Sequence, residues 1–229
     1  MKFSWSKVFA LVLPLLLLTG ISRVASADTV LTGALTADNA FYAYLSTSPT
    51  VLGTLIAGNG ATVPDTDNPY QWSISWPITP QTLVAGQTYY LQIEGINWAE
   101  WAGILGSFSL SDSSFYFANG TQYLLTSNAA NVWDYSDTGF GVSTGTPVSE
   151  GPNSGPNLIW YSVGGVVSGI DPNAEWIWGS ETNSDTPAGI EYFETEISPV
   201  PEPGTLLLLG TGLLGLAGMA RSRYNKKGA

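Results

Sequence analysis

The sequence predicts an all-β fold, an antiparallel β-sandwich flanked by an N-terminal signal peptide and a C-terminal transmembrane helix. Three observations carry this expectation. Phe41, Ala43 and Leu45 alternate with Tyr42, Tyr44 and Ser46, and Tyr70, Trp72, Ile74 and Trp76 alternate with Gln71, Ser73 and Ser75. Such period-two patterning places every second side chain on one face of a strand. Turn signals recur between the apolar runs: Gly58-Asn59-Gly60, Asp67-Asn68-Pro69, Ala85-Gly86, Asn119-Gly120 and Asp171-Pro172-Asn173. Between these turns no segment sustains a helical period, which favours short antiparallel strands over helices.

The elements follow in order. Residues 1–27 read as a signal peptide: Lys2 and Lys7 give a positive start, and Val8 to Leu18 is an apolar stretch interrupted only by Pro14. Ala25-Ser26-Ala27 supplies the small-residue pattern at which signal peptidase cuts, leaving Asp28 as the first mature residue. Residues 28–197 form the sandwich domain. Its further strand candidates are 88–93, 104–110, 115–117, 123–126, 158–163 and 190–197. Residues 136–157, rich in Gly, Ser, Thr and Pro, read as a long loop or lid. Residues 198–203 form a stalk, 204–220 an apolar helix and 221–229 a basic tail. The helix has no charge and, at about 1.5 Å per residue, reaches roughly 26 Å, near the short limit for a bilayer core. Arg221, Arg223, Lys226 and Lys227 keep the tail cytoplasmic, so the domain lies outside.

Charge is distributed unevenly. All seven basic residues lie in the terminal segments, and of the 18 acids all but Glu202 lie in residues 28–199. The exported domain therefore has no Lys, Arg or His, and no side-chain salt bridge can form within it. This excludes nucleic-acid binding, which needs cations against phosphates, and attraction to anionic lipid. The chain has no Cys and no His, so it holds no disulfide, no Ser-His-Asp triad and no His- or Cys-bound metal.

Three kinds of chemistry remain. Trp98, Trp101, Glu94, Asn97 and Glu100 fall together after a strand; rings that stack on sugars and carboxylates or amides that take hydroxyls would line a saccharide site. The same tryptophans also suit capping of the core, as do Trp176 and Trp178. Asp65, Asp67 and Asn68 form an oxygen cluster of the kind that binds Ca²⁺ or simply makes a turn; Asp134 with Asp137 and Asp171 with Asn173 are sparser versions. No other cofactor is expected. Paired carboxylates could hydrolyse a glycoside, with one acid protonated and one ionised, but no local motif selects a pair. The expected protein is non-enzymatic, with a carboxylate-dependent glycoside-active enzyme and a ligand-free structural protein as alternatives.

Two resemblances sharpen this. Pro201-Glu202-Pro203, the apolar helix after it and the basic end together resemble the PEP-CTERM sorting signal of Gram-negative bacteria. The resemblance implies recognition by an exosortase, an integral-membrane cysteine transpeptidase, and cutting near Pro201-Glu202-Pro203. The membrane segment would then be a transient anchor, lost on processing. It also implies a host that makes extracellular polysaccharide, and hence a place at the cell surface or in the matrix of a biofilm. Separately, Asp38-Asn39, Leu83 to Gly86, Asn97 and Ala102-Gly103-Ile104 resemble a galactose-binding-like, jelly-roll-type sandwich. That resemblance implies a fold and a tendency to bind carbohydrate.

Overall fold

A computed structural model of the chain describes residues 28–59, 71–98, 100–154, 160, 165–180, 186–201 and 210–217. Within them the strands are β1 (Thr29–Asp38), β2 (Ala40–Ser46), β3 (Thr54–Gly58), β4 (Trp76–Pro77), β5 (Gln81–Leu83) and β6 (Tyr89–Asn97). They continue as β7 (Gly103–Leu110), β8 (Phe115–Phe117), β9 (Tyr123–Leu125), β10 (Asp134–Ser136), β11 (Val148–Pro152), β12 (Glu175–Trp178) and β13 (Gly189–Pro199). They form two sheets. The first runs β11-β12-β7-β1-β4, with β5 also on β1 and β9 also on β7. The second runs β10-β13-β6-β2-β3, with β8 also on β13. All of these pairings are antiparallel. The all-β antiparallel sandwich expected from the sequence is the architecture observed.

The alternation of residues becomes the division between the sheets. Phe41, Ala43, Leu45, Leu91, Ile93, Phe193 and Ile197 of the second sheet meet Leu31, Leu35, Ile104, Phe108 and Ile177 of the first in one core. These side chains recur at every second position because successive residues of a strand point to opposite faces. A second cluster, Trp72, Leu105, Trp160, Val167, Ile170, Ala174 and Trp176, lies on the far side of the first sheet. Trp160 and Trp176 stack at 4.4 Å and 11°. Both faces of the first sheet are thus packed.

Four expectations change. The alternation over 70–76 is not one strand: Gln71–Ser73 is a 3-10 turn and only Trp76–Pro77 pairs. Pro77 lacks an N–H for a continuing ladder, and Trp72 turns into the second cluster, where its carbonyl accepts from Thr36 Oγ1 at 2.9 Å. Trp160, the one described residue of 158–163, is helical rather than extended. The expected loop 136–157 contains β11, which pairs with β12. At the other end, β13 extends the sheet through Ser198 and Pro199, into the stretch read as stalk.

Residues 210–217 are helical, and no helix among the described residues is long and apolar enough to cross a membrane. The signal-peptide residues Ala25 and Ala27 lie outside the described residues, as does most of 204–220.

Candidate functional site

The five residues proposed for a saccharide site divide between two places. Asn97, Trp98, Glu100 and Trp101 stay together where the chain passes from β6 to β7. Beside them it passes from β1 to β2 at Asp38-Asn39, a cis peptide. Asn39 fastens the two crossings: its N–H donates to Ile96 O at 3.0 Å, and its Oδ1 accepts from Trp98 N at 2.7 Å. Asn97 is buried and donates through Nδ2 to Pro187 O at 3.0 Å. Trp101 packs edge-on against Trp160, with centroids 6.3 Å apart. Glu100 is exposed, with φ of 67° and its N–H on Thr186 O. Beneath them Asp38 accepts from Trp160 Nε1 at 2.7 Å. Burial drives the Asp38 pKa up to about 6, against the lowering effect of that hydrogen bond and with a further push from Glu100. Trp101 and Asn97 therefore hold structure at this corner.

Glu94 leaves the group. It stands three residues before Asn97 on β6, and odd spacing puts the two side chains on opposite faces. Glu94 points to the outer face of the second sheet, where Tyr44 Oη donates to its Oε2 at 3.1 Å. Burial, reinforced by Glu94, pushes the Tyr44 hydroxyl up to about 12.

Strand register organises this outer face. One row across the sheet reads Tyr42, Glu94, Tyr192 and Ser136; the next reads Tyr44, Gln92, Glu194 and Asp134; a third holds Ser46, Tyr90 and Glu196. Carboxylates and phenol rings thus occupy neighbouring positions. These side chains are half-buried or exposed, except the buried Gln92, Ser46 and Ser136.

Two loops wall part of the face. Gln92 pins the first: its Oε1 accepts from Gly53 N, and its Nε2 donates to Ser48 O, Pro49 O and, at 3.0 Å, Glu194 Oε2. The second, following β10, carries Phe140, which meets Tyr192 edge-on at 5.0 Å. The loops touch at Gly141. Its φ of 75° is left-handed, and a Cβ there would stand 2.9 Å from Pro49 O. Between them lies a pocket of about 130 Å³ bounded by Pro49, Asp134, Phe140, Tyr192 and Glu194, among others. Ser143 Oγ donates to Asp134 Oδ1 at 2.9 Å. Glu194 is raised from the ordinary range by burial, with Gln92 opposing and the charge of Asp134 adding.

Single-residue inspection of the sequence missed this site, because its members come from β2, β6, β10 and β13. The available signal was the polar half of each alternation: Tyr42 and Tyr44, then Glu194 and Glu196. The Asp65, Asp67 and Asn68 cluster lies outside the described residues. Asp171 with Asn173 is a local turn, with Asp171 Oδ1 accepting from Asn173 N at 2.8 Å.

The terminal segment matches a known family model. The PEP-CTERM protein-sorting motif aligns with residues 199–223. Those residues include Pro201, Glu202 and Pro203; Pro201 is exposed, and the other two lie outside the described residues. No curated protein and no solved structure matches the chain. The matched motif carries the conclusion that this is an exported protein, sorted to the surface through exosortase processing.

Proposed function

We propose that the domain is a non-enzymatic surface module that holds extracellular polysaccharide on the outer face of its second sheet. The observation that carries this reading is the register of Tyr42, Glu94 and Tyr192 beside Tyr44, Gln92 and Glu194. Phenol rings offer flat apolar surface to sugar faces, while adjacent carboxylates take hydroxyl protons. Delivery by exosortase fits a protein that works in a surface matrix. Its processing partners are signal peptidase and exosortase.

The test is binding to a glycan array by the full chain and its variants. Tyr44→Ala and Tyr192→Ala should each abolish retention, whereas Trp98→Ala in a folded protein should leave it intact. Loss with Trp98→Ala alone would move the site to the corner between β6 and β7.

Asp134 and Glu194 support one second reading. They are direct cross-strand partners at an open pocket, and burial raises the pKa of Glu194, as the acid of a glycoside-cleaving carboxyl pair requires. Turnover of a glycoside that disappears in Glu194→Gln would favour it.

A further inference from the structure

The pocket on the second sheet has an electrostatic character that narrows its ligand. Asp134 and Glu194 face one another across the β10–β13 pair. Like charges at directly opposed positions of an antiparallel ladder repel. Glu94 stands in the neighbouring row and Glu196 two residues along β13. Proteins ordinarily place Lys or Arg among such groups, but residues 28–199 contain none, nor any His. The partners Glu194 and Asp134 have within the protein are neutral donors, Gln92 Nε2 and Ser143 Oγ. Any cation that compensates them must come from outside residues 28–199.

The rings decide which cation suits the pocket. Phe140 and Tyr192 meet there edge-on. A ring face attracts an ammonium group through its quadrupole, and an ammonium also donates hydrogen bonds to carboxylates. Calcium instead demands six to eight oxygen ligands. Among the described residues no group of three or more acidic side chains is placed to hold a metal ion. The mixture of two carboxylates and aromatic walls favours a protonated amine.

We propose that the Asp134–Glu194 pocket recognises the protonated amino group of an amino-sugar polymer, so that the domain selects polysaccharide carrying free amines over neutral or anionic chains. This rests on the reading of the same face as a saccharide site. A uronate, sulfated or phosphorylated chain brings negative charge to a face that has no cation, and is disfavoured. An N-acetylated chain presents the same ring without the charge and loses the attraction to both carboxylates.

Calorimetric titration of the full chain in detergent tests the proposal. The probes are a glucosamine tetrasaccharide, its fully N-acetylated form, a glucose tetrasaccharide and a galacturonate tetrasaccharide. The amine form should bind at least about tenfold more tightly than the N-acetylated form, and the uronate should not bind. Glu194→Gln and Asp134→Asn are near-isosteric and remove a repulsion, so both variants should stay folded and each should erase the preference. Glu175→Gln, on the first sheet, removes the same charge elsewhere and should preserve it. Equal affinity for the amine and N-acetylated forms would overturn the amine inference while leaving the saccharide reading standing. Equal weakening by Glu175→Gln and Glu194→Gln would reduce the preference to diffuse attraction and overturn it as well. Failure of all four sugars to bind folded protein would overturn both.

Discussion

Raising the pH should destabilise this domain through its buried carboxyls, Asp38 among them. Its side chain is 8 % exposed, and its pKa rises from 3.8 to about 6, chiefly through burial. The folded state therefore binds the Asp38 proton more tightly than the unfolded chain does. Stability from this group is complete below pH 3.8 and is lost as pH rises through about 6. Two pH units correspond to roughly 3 kcal/mol, of which roughly 2 kcal/mol falls between pH 4 and pH 7.5. Glu191 acts in the same direction: burial lifts it to about 7, despite its hydrogen bond from Gly179 N and with an added push from Asp137. Mutual repulsion among the other carboxylates, with no cation to offset it, adds to the slope. Urea unfolding followed by tryptophan fluorescence would measure stability at half-unit steps from pH 4 to 7.5. Asp38→Asn should flatten the curve. The slope is the readout, because the new amide would face Asn39 Nδ2, itself a donor that now bonds Asp38 Oδ1. Constant or rising stability across that range, or an unchanged slope in Asp38→Asn, would refute the assignment.

Other consequences follow from single contacts. Trp160→Phe removes the donor to Asp38 Oδ2 and trims a ring stacked on Trp176, leaving a buried carboxylate without that partner; a loss of about 2–4 kcal/mol is expected by urea titration, and a loss under 1 kcal/mol would contradict it. Gly95→Ala puts a methyl group 2.7 Å from Trp178 and 3.0 Å from Ile104 inside the core, which should cost about 1–3 kcal/mol in the same assay. Replacing Pro201, Glu202 and Pro203 together by Ala should block sorting, so that intact mass from the native host retains the chain to Ala229, whereas the parent should end near Pro201.

The sequence made some strands legible and concealed others for definable reasons. Phe41, Ala43 and Leu45 are buried while Tyr42 and Tyr44 are half-buried, so β2 shows a clean alternation. The end of β1 is buried at four successive positions, Leu35 to Asp38, because the Trp72–Trp160–Trp176 cluster covers the outer side of the first sheet. A strand packed on both faces loses its period-two signal. The opposite error arose at 70–76, where alternating Trp and Ile reflect a turn feeding two packing layers. β10 and β11 lie in or beside Gly- and Ser-rich sequence and exist through backbone pairing, β10 with the longer β13 and β11 with β12. For the site, Trp98 and Trp101 were visible because they are neighbours in sequence. The Tyr42–Glu94–Tyr192 row joins three distant strands, and only their register brings it together.

The same register links the outer face of the second sheet to the sorting signal. β13 carries Tyr192 and Glu194 on its outer face and runs without interruption to Pro199, where the matched motif begins. β6 holds the strand on one side, while β10 and then β8 hold it on the other; Val200 N donates to Ser114 O at 2.8 Å just beyond its end. Seven residues of strand from Tyr192 to Pro199 span about 23 Å. The pocket is therefore fixed rigidly at that distance from the tether, and the corner of Asn97 and Trp98, which pairs with the start of β13 at Gly189, is at the far end. Paired backbone to Pro199, followed by the hydrogen bond from Val200 N to Ser114 O, therefore fixes the position of Tyr192 and Glu194 relative to the start of the sorting motif.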